Sequence, residues 1–155
     1  MGRKPYINFK AQDEDLEIVA AIIDELGLED IAQRNINQLS GGQQQKVLVG
    51  RALAQQPEVL LLDEPTSNLD LKHQLEILNL IQAQIKDNIS SVIALHDLSL
   101  AARYSDKIII LKDGKIFAAG GLEVLTPENL EAVYEVEVSV ADVGGRKVII
   151  PERPI

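Results

Sequence analysis

An α/β fold is predicted, with a helical part over residues 1–57 and a layered strand–helix part over 58–155. Three observations carry this reading. Leu16, Val19, Ala20, Ile23 and Leu26 recur at helical spacing. The run Val59-Leu60-Leu61-Leu62 is apolar at every position, the mark of a strand buried on both faces, as in parallel sheets. Strands and helices then alternate through the middle of the chain, which implies helices layered on a sheet.

The elements follow in order. Residues 1–12 are polar and irregular, with Pro5 discouraging helix. The first helix opens on Asp13, Glu14 and Asp15, where the helix dipole favours negative charge. It closes at Gly27, a natural left-handed stop, with Leu28 placed to pack back on the last turn. A short helical stretch is expected around 28–33. Ser40 with Gln43 three positions later matches a capping box, so a helix starts there. Val47, Leu48, Ala52 and Leu53 are expected on its buried face, and Pro57 ends it. After the strand at 59–62, residues 71–86 read as a helix with Leu75, Leu78, Ile81 and Ile85 on one stripe. Residues 91–95 read as a second apolar strand and 98–103 as a short helix. Residues 107–111 and 115–119 flank Asp113-Gly114, a strong hairpin signal. Thr126-Pro127 opens a last helix to about Tyr134. A second hairpin is expected from 136–140 and 147–150, around Gly144-Gly145.

Composition narrows the function classes. The 155 residues are 46% hydrophobic but only 3% aromatic, so Leu, Ile and Val must build the core. A net charge of −9 argues against nonspecific binding to nucleic acid or anionic lipid. There is no cysteine, which excludes a disulfide framework and thiolate metal sites. No stretch reaches the roughly 18 apolar residues of a membrane span. Met1-Gly2-Arg3-Lys4-Pro5-Tyr6 lacks the apolar segment of a signal peptide. Any membrane association is therefore expected through a partner.

Two tracts carry chemistry. In Leu39-Ser40-Gly41-Gly42-Gln43, a capped helix start offers backbone N–H groups to an anion, and the glycines let a phosphate come close. The plainer reading of the same residues is a well-capped helix after a tight turn. Asp63 and Glu64 end the buried strand, where ligands bind in open α/β sheets. Asp63 suits Mg²⁺ held through water. Glu64 suits a base that accepts a proton from an attacking water. Asp70 is a good N-cap for the helix at Leu71. His96 follows the second strand, and His73, inside a helix start, reads as structural.

These motifs in this order resemble the ATP-binding-cassette (ABC) ATPases. Leu39–Gln45 resembles the signature motif, 59–66 the Walker B segment, Ser67-Asn68-Leu69-Asp70 the D-loop, and His96 the switch histidine that contacts the γ-phosphate. The runs at 69–74, 95–104 and 125–130 are similar to ATPases of importers for iron–siderophore, haem or cobalamin. The resemblance implies part of a P-loop NTPase fold: a helical subdomain over 1–57, then the C-terminal part of the RecA-like core over 58–155. It implies ATP and Mg²⁺ as ligands, with Ser40, Gly41, Gly42, Gln43 and Asp70 at the nucleotide, Asp63 at the metal, and Glu64 and His96 as catalytic residues. It also implies a membrane permease as partner and a peripheral place on the cytoplasmic face of the membrane. A second ATPase subunit would pair head-to-tail with the first, and a substrate-binding protein would act indirectly.

No stretch of these 155 residues reads G-x-x-x-x-G-K-[ST], the loop that cradles nucleotide phosphates, and the Q-loop is absent too. Taken alone, the chain is therefore expected to be incompetent as an ATPase, and its strands to show exposed apolar edges. Two other readings remain. One is the signature half of a DNA-repair or chromosome-maintenance ABC ATPase. The other is a non-catalytic remnant that docks on a permease or an intact ATPase.

Overall fold

The computed structural model describes residues 12–85 and 89–155. The irregular opening expected for the first residues, and Lys86 at the end of the third long helix, lie outside them. The described residues divide into two compact units, one ending at Ala94 and the other spanning Leu95–Ile155.

In the first unit, helix α1 (Asp13–Glu25) starts where its acidic turn predicts. The Gln12 N–H donates to Asp15 Oδ2 at 3.0 Å. Gly27 ends it at φ +60°. The Gly27 N–H donates to the Asp24 carbonyl and the Leu28 N–H to the Ile23 carbonyl, both at 3.0 Å. That pair of bonds is a Schellman motif. An added Cβ at Gly27 meets nothing within 4 Å, so the conformation alone selects glycine. Gly27→Ala is therefore expected to cost about 1–2 kcal/mol, read as a lower urea midpoint.

The stretch expected over 28–33 is only a 3₁₀ turn, Glu29–Ile31. A second 3₁₀ turn, Ile36–Gln38, had no sequence expectation. Helix α2 (Gly41–Leu53) is capped by Ser40 and ends ahead of Pro57. Its buried residues are Gly42, Val49, Gly50 and Leu53, while Leu48 is 48% exposed. Of the expected face, Leu53 is in the core and Ala52 packs against it, while Leu48 gives way to Val49 and Gly50. Gly50 is buried because α1 and its last turn pack on it: an added Cβ there falls 2.5 Å from Leu26 Cδ1 and 3.3 Å from Ile22 Cγ2.

Strand β1 (Val59–Asp63) pairs in parallel with β2 (Ser90–Ala94), Leu60 opposite Ser91 and Asp63 opposite Ala94. Helix α3 (Leu71–Ile85) buries Ile77, Leu78 and Ile81. Val49, Leu53, Leu60, Ile77 and Ile81 form the unit's core, with Leu62 and Ile93 packed against it. The two-faced burial expected of β1 is not what the structure has. Leu60 is 3% exposed, but Leu61 is 73% and Val59 53%, and Val92 beside them on β2 is 58%. Helices cover one face of this two-stranded sheet; among the described residues of the unit, nothing covers the other.

The second unit holds α4 (Leu98–Tyr104), the hairpin β3 (Ile108–Lys112) and β4 (Lys115–Gly120), α5 (Pro127–Tyr134), and the hairpin β5 (Val136–Asp142) and β6 (Lys147–Pro154). Asp97 caps α4, accepting from the Leu100 N–H at 2.9 Å. Thr126 caps α5, accepting from the Asn129 N–H at 3.2 Å. The first hairpin turns at Asp113 and Gly114, φ +50° and +71°, as a two-residue turn with both residues left-handed. The second hairpin is longer than expected and carries a bulge at Glu137/Val138. Leu125 and Leu130 lie at the centre of a core with Ala102, Ile108, Ile110 and Val138.

Candidate functional site

The signature segment is built around the start of α2. Ser40 Oγ accepts from the Gln43 N–H at 3.3 Å, and Gln43 Oε1 accepts from the Ser40 N–H at 3.0 Å. This reciprocal box satisfies the third helical N–H and leaves those of Gly41 and Gly42, which have no intrahelical acceptor. The Gln44 amide donates to the carbonyls of Ile36 and Leu39 at 3.2 and 3.0 Å. It ties the 3₁₀ turn to the helix and fixes where the signature starts. Sequence reasoning passed over Gln44, because a glutamine beside a capping box gives no sign of what its amide reaches. Gly42 is buried, and a Cβ there would fall 2.4 Å from His73 Cδ2. Its smallness thus serves packing against the His73 ring.

Asp63 is exposed at the end of β1. Glu64 is half-buried and takes φ +46°, a left-handed conformation in which an L-glutamate is strained. Its N–H donates to the Ala94 carbonyl at 3.2 Å, so it continues the β1–β2 ladder for one more bond. Its carbonyl accepts from the Ser67 N–H at 3.1 Å, and the following Pro65 and Thr66 are buried. Both sides of Glu64 are therefore held. A strained residue kept in place by its surroundings is a feature of functional sites. No group of three or more metal-ligating side chains is present among the described residues. A single exposed carboxylate fits Mg²⁺, which usually keeps several waters and takes one or two carboxylates plus substrate phosphates.

Asp70 Oδ1 accepts from the His73 backbone N–H at 2.9 Å and sits 2.7 Å from His73 Nδ1. The N-cap expected of Asp70 is present, and the ring adds a second partner. These two bonds hold the Asp70 carboxyl below its ordinary range, the backbone bond first. A carboxyl depressed in the folded state stabilises above its unfolded value, and that contribution is lost as pH falls through the folded one. Protection of the α3 first-turn amides from exchange is thus expected to fall below about pH 4. Asp70→Asn, which still caps but does not titrate, is expected to remove that dependence.

The first unit therefore holds Ser40, Gly41, Gly42, Gln43, Asp63, Glu64 and Asp70, and it joins the signature to Asp70 through His73. His96 is exposed and lies at the start of the second unit, just ahead of the Asp97 cap.

A family model described as ABC transporter matches residues 3–67. An uncharacterised ABC transporter ATP-binding protein from Methanocaldococcus jannaschii is 53% identical over 152 residues, which are 97% of this chain and 60% of that protein. An iron(3+)-hydroxamate import ATP-binding protein from Bacillus subtilis is 44% identical, covering 84% of this chain and 49% of its own length. A cobalamin import ATP-binding protein from Halobacterium salinarum is 41% identical, covering 90% and 36%. The chain thus spans 60% or less of the length of these relatives. Among solved structures, an inward-facing ABC transporter assigned to the metal-chelate type superposes with a TM-score of 0.84 at 29% identity, over 94% of this chain and 62% of that one. With its four motifs in order, a matching family model and a shared fold, the chain belongs to the ABC transporter ATPase family, on a P-loop NTPase fold.

Proposed function

We propose that these residues are the signature-bearing part of the ATP-binding subunit of an importer for a metal chelate, an iron–siderophore complex, haem or cobalamin. The observation that carries the reading is a pair of features in one unit: the Ser40-capped start of α2, and a strand ending in Asp63 and the strained Glu64. The iron-hydroxamate and cobalamin relatives and the metal-chelate structural neighbour support the cargo class, since all three cargoes are chelated metals.

Residues 1–57 act as the helical subdomain and 58–155 as the C-terminal part of the ATPase core. The Gly41 and Gly42 N–H groups, with the Ser40 hydroxyl and the Gln43 side chain, face the phosphates of an ATP whose P-loop belongs to a second ATPase subunit. Asp63 holds Mg²⁺, which offsets phosphate charge when bound. Glu64 accepts the proton of the attacking water, and His96 contacts the γ-phosphate. Asp70 stands at the interface between the two subunits. The phosphate grip of this chain's own site comes from a segment outside these 155 residues. A permease anchors the subunit at the cytoplasmic face of the membrane, and a substrate-binding protein delivers cargo from the other side. No helix among the described residues is long and apolar enough to cross a membrane. The net charge of −9 weighs against nucleic acid as a partner.

The test is Mg-ATP binding and hydrolysis, first by the 155-residue chain and then with a polypeptide supplying the G-x-x-x-x-G-K-[ST] segment. No turnover alone and turnover on addition are expected. Turnover by the chain alone, lost in Glu64→Gln, would place a phosphate grip within these residues and overturn that part of the reading.

A further inference from the structure

One imidazole joins the signature helix to the D-loop. His73 is the third residue of α3, and both its backbone N–H and its ring Nδ1 meet Asp70 Oδ1, at 2.9 and 2.7 Å. A carboxylate only accepts, so Nδ1 carries a proton. The other edge of the ring lies against Gly42. An ideal Cβ on Gly42 falls 2.4 Å from Cδ2, 2.8 Å from Cγ and 3.0 Å from Nε2 of His73. On either side of this contact lie two further ones. Gly41 faces Leu69, whose Cδ2 is 3.9 Å from an ideal Cβ, and Gln74 Nε2 donates to the Thr66 carbonyl at 3.4 Å.

The ring is therefore held from both sides. Turning it about its side-chain torsions gives up the bond to Asp70 or the packing against Gly42. Two motifs 28 positions apart, at residues 42 and 70, share one side chain as a contact. Close packing passes displacement from one atom to the next rather than absorbing it. We propose that His73 is a positioning residue that transmits the position of the Asp70 carboxylate to the Gly42 backbone at the start of the signature helix. Its consequence for catalysis rests on the reading above, in which the N–H groups there face a nucleotide phosphate. The linkage itself does not rest on that reading.

The test is a double-mutant cycle read from backbone amide signals of the 155-residue chain at neutral pH without nucleotide. His73→Phe keeps a ring against Gly42 and removes the bond to Asp70. His73→Asn keeps a donor for Asp70 and removes the ring edge. Asp70→Ala is expected to shift the Gly42 and Gln43 amides in the parent chain, and to leave them in place in either His73 background. Equal shifts in all three backgrounds would overturn the linkage. A second arm measures ATP turnover with the P-loop segment supplied, where both His73 variants are expected to lower kcat with little change in KM. An intact linkage with unchanged turnover would overturn the phosphate-facing reading of the signature helix instead.

Discussion

Glu64→Gln is expected to lower ATP turnover about 10²–10⁴-fold in the assembled cassette, the range of a lost general base, while ATP still binds. On the transition-state scale this is about 3–5 kcal/mol. Glutamine matches glutamate in shape but takes no proton at neutral pH, so the substitution removes the chemistry and leaves the geometry. The geometry matters here because the backbone at Glu64 is strained, at φ +46°. Such strain costs on the order of 1–3 kcal/mol and persists only where the surroundings impose it. They do so through the ladder bond to Ala94, the turn bond from Ser67 and the buried Pro65 and Thr66. A glutamine at position 64 meets the same constraints. Nucleotide titration beside a turnover assay separates binding from chemistry. A loss of turnover below about tenfold, with binding intact, would take Glu64 out of the role of base.

The parts of this site that were legible in the sequence are those with local causes. Ser40 and Gln43 cap a helix wherever they stand three apart before one, and they do so here. Gly27, Asp113-Gly114 and Thr126 act through their own backbone or the next few residues, and each stops, turns or starts an element where expected. What was not legible depends on contacts distant in sequence. Leu48 stands exposed and Gly50 is buried on α2 because that glycine, silent in a hydrophobic pattern, is where Ile22 and Leu26 pack. His73 reads as structural and is, but a lone histidine gives no sign of its two partners, one of them 31 positions back at Gly42. The left-handed turn at Glu64 is dictated by the β1–β2 ladder and the buried residues after it. Roles at the nucleotide are expected only through the family motifs, since spacing alone gives a capped helix and two acids at a strand end.

Leu60→Ala and Leu61→Ala, adjacent and chemically identical changes, are expected to differ several-fold in cost. Leu60 is 3% exposed and packs in the core with Val49, Leu53, Ile77 and Ile81. Its truncation opens a cavity in a close-packed cluster, which costs about 2–5 kcal/mol. Leu61 points the other way and is 73% exposed, so its methyl groups touch mostly water in the structure. Truncation there is expected to stay within about 0.5 kcal/mol. The measurement is the urea midpoint of both variants at low and high protein concentration. The sequence alone predicts equal and large costs, because a fully apolar run reads as buried on both faces. Equal costs would mean that the outer face, with Val59, Leu61 and Val92, is covered in solution. If they became equal only at high concentration, the cover would be another copy of the chain, since only an associating partner makes stability depend on concentration. If they were equal at every concentration, the cover would come from the chain itself. A large cost at Leu60 with almost none at Leu61 would establish that the face stands open. It is then the surface on which a further layer of the cassette would have to pack.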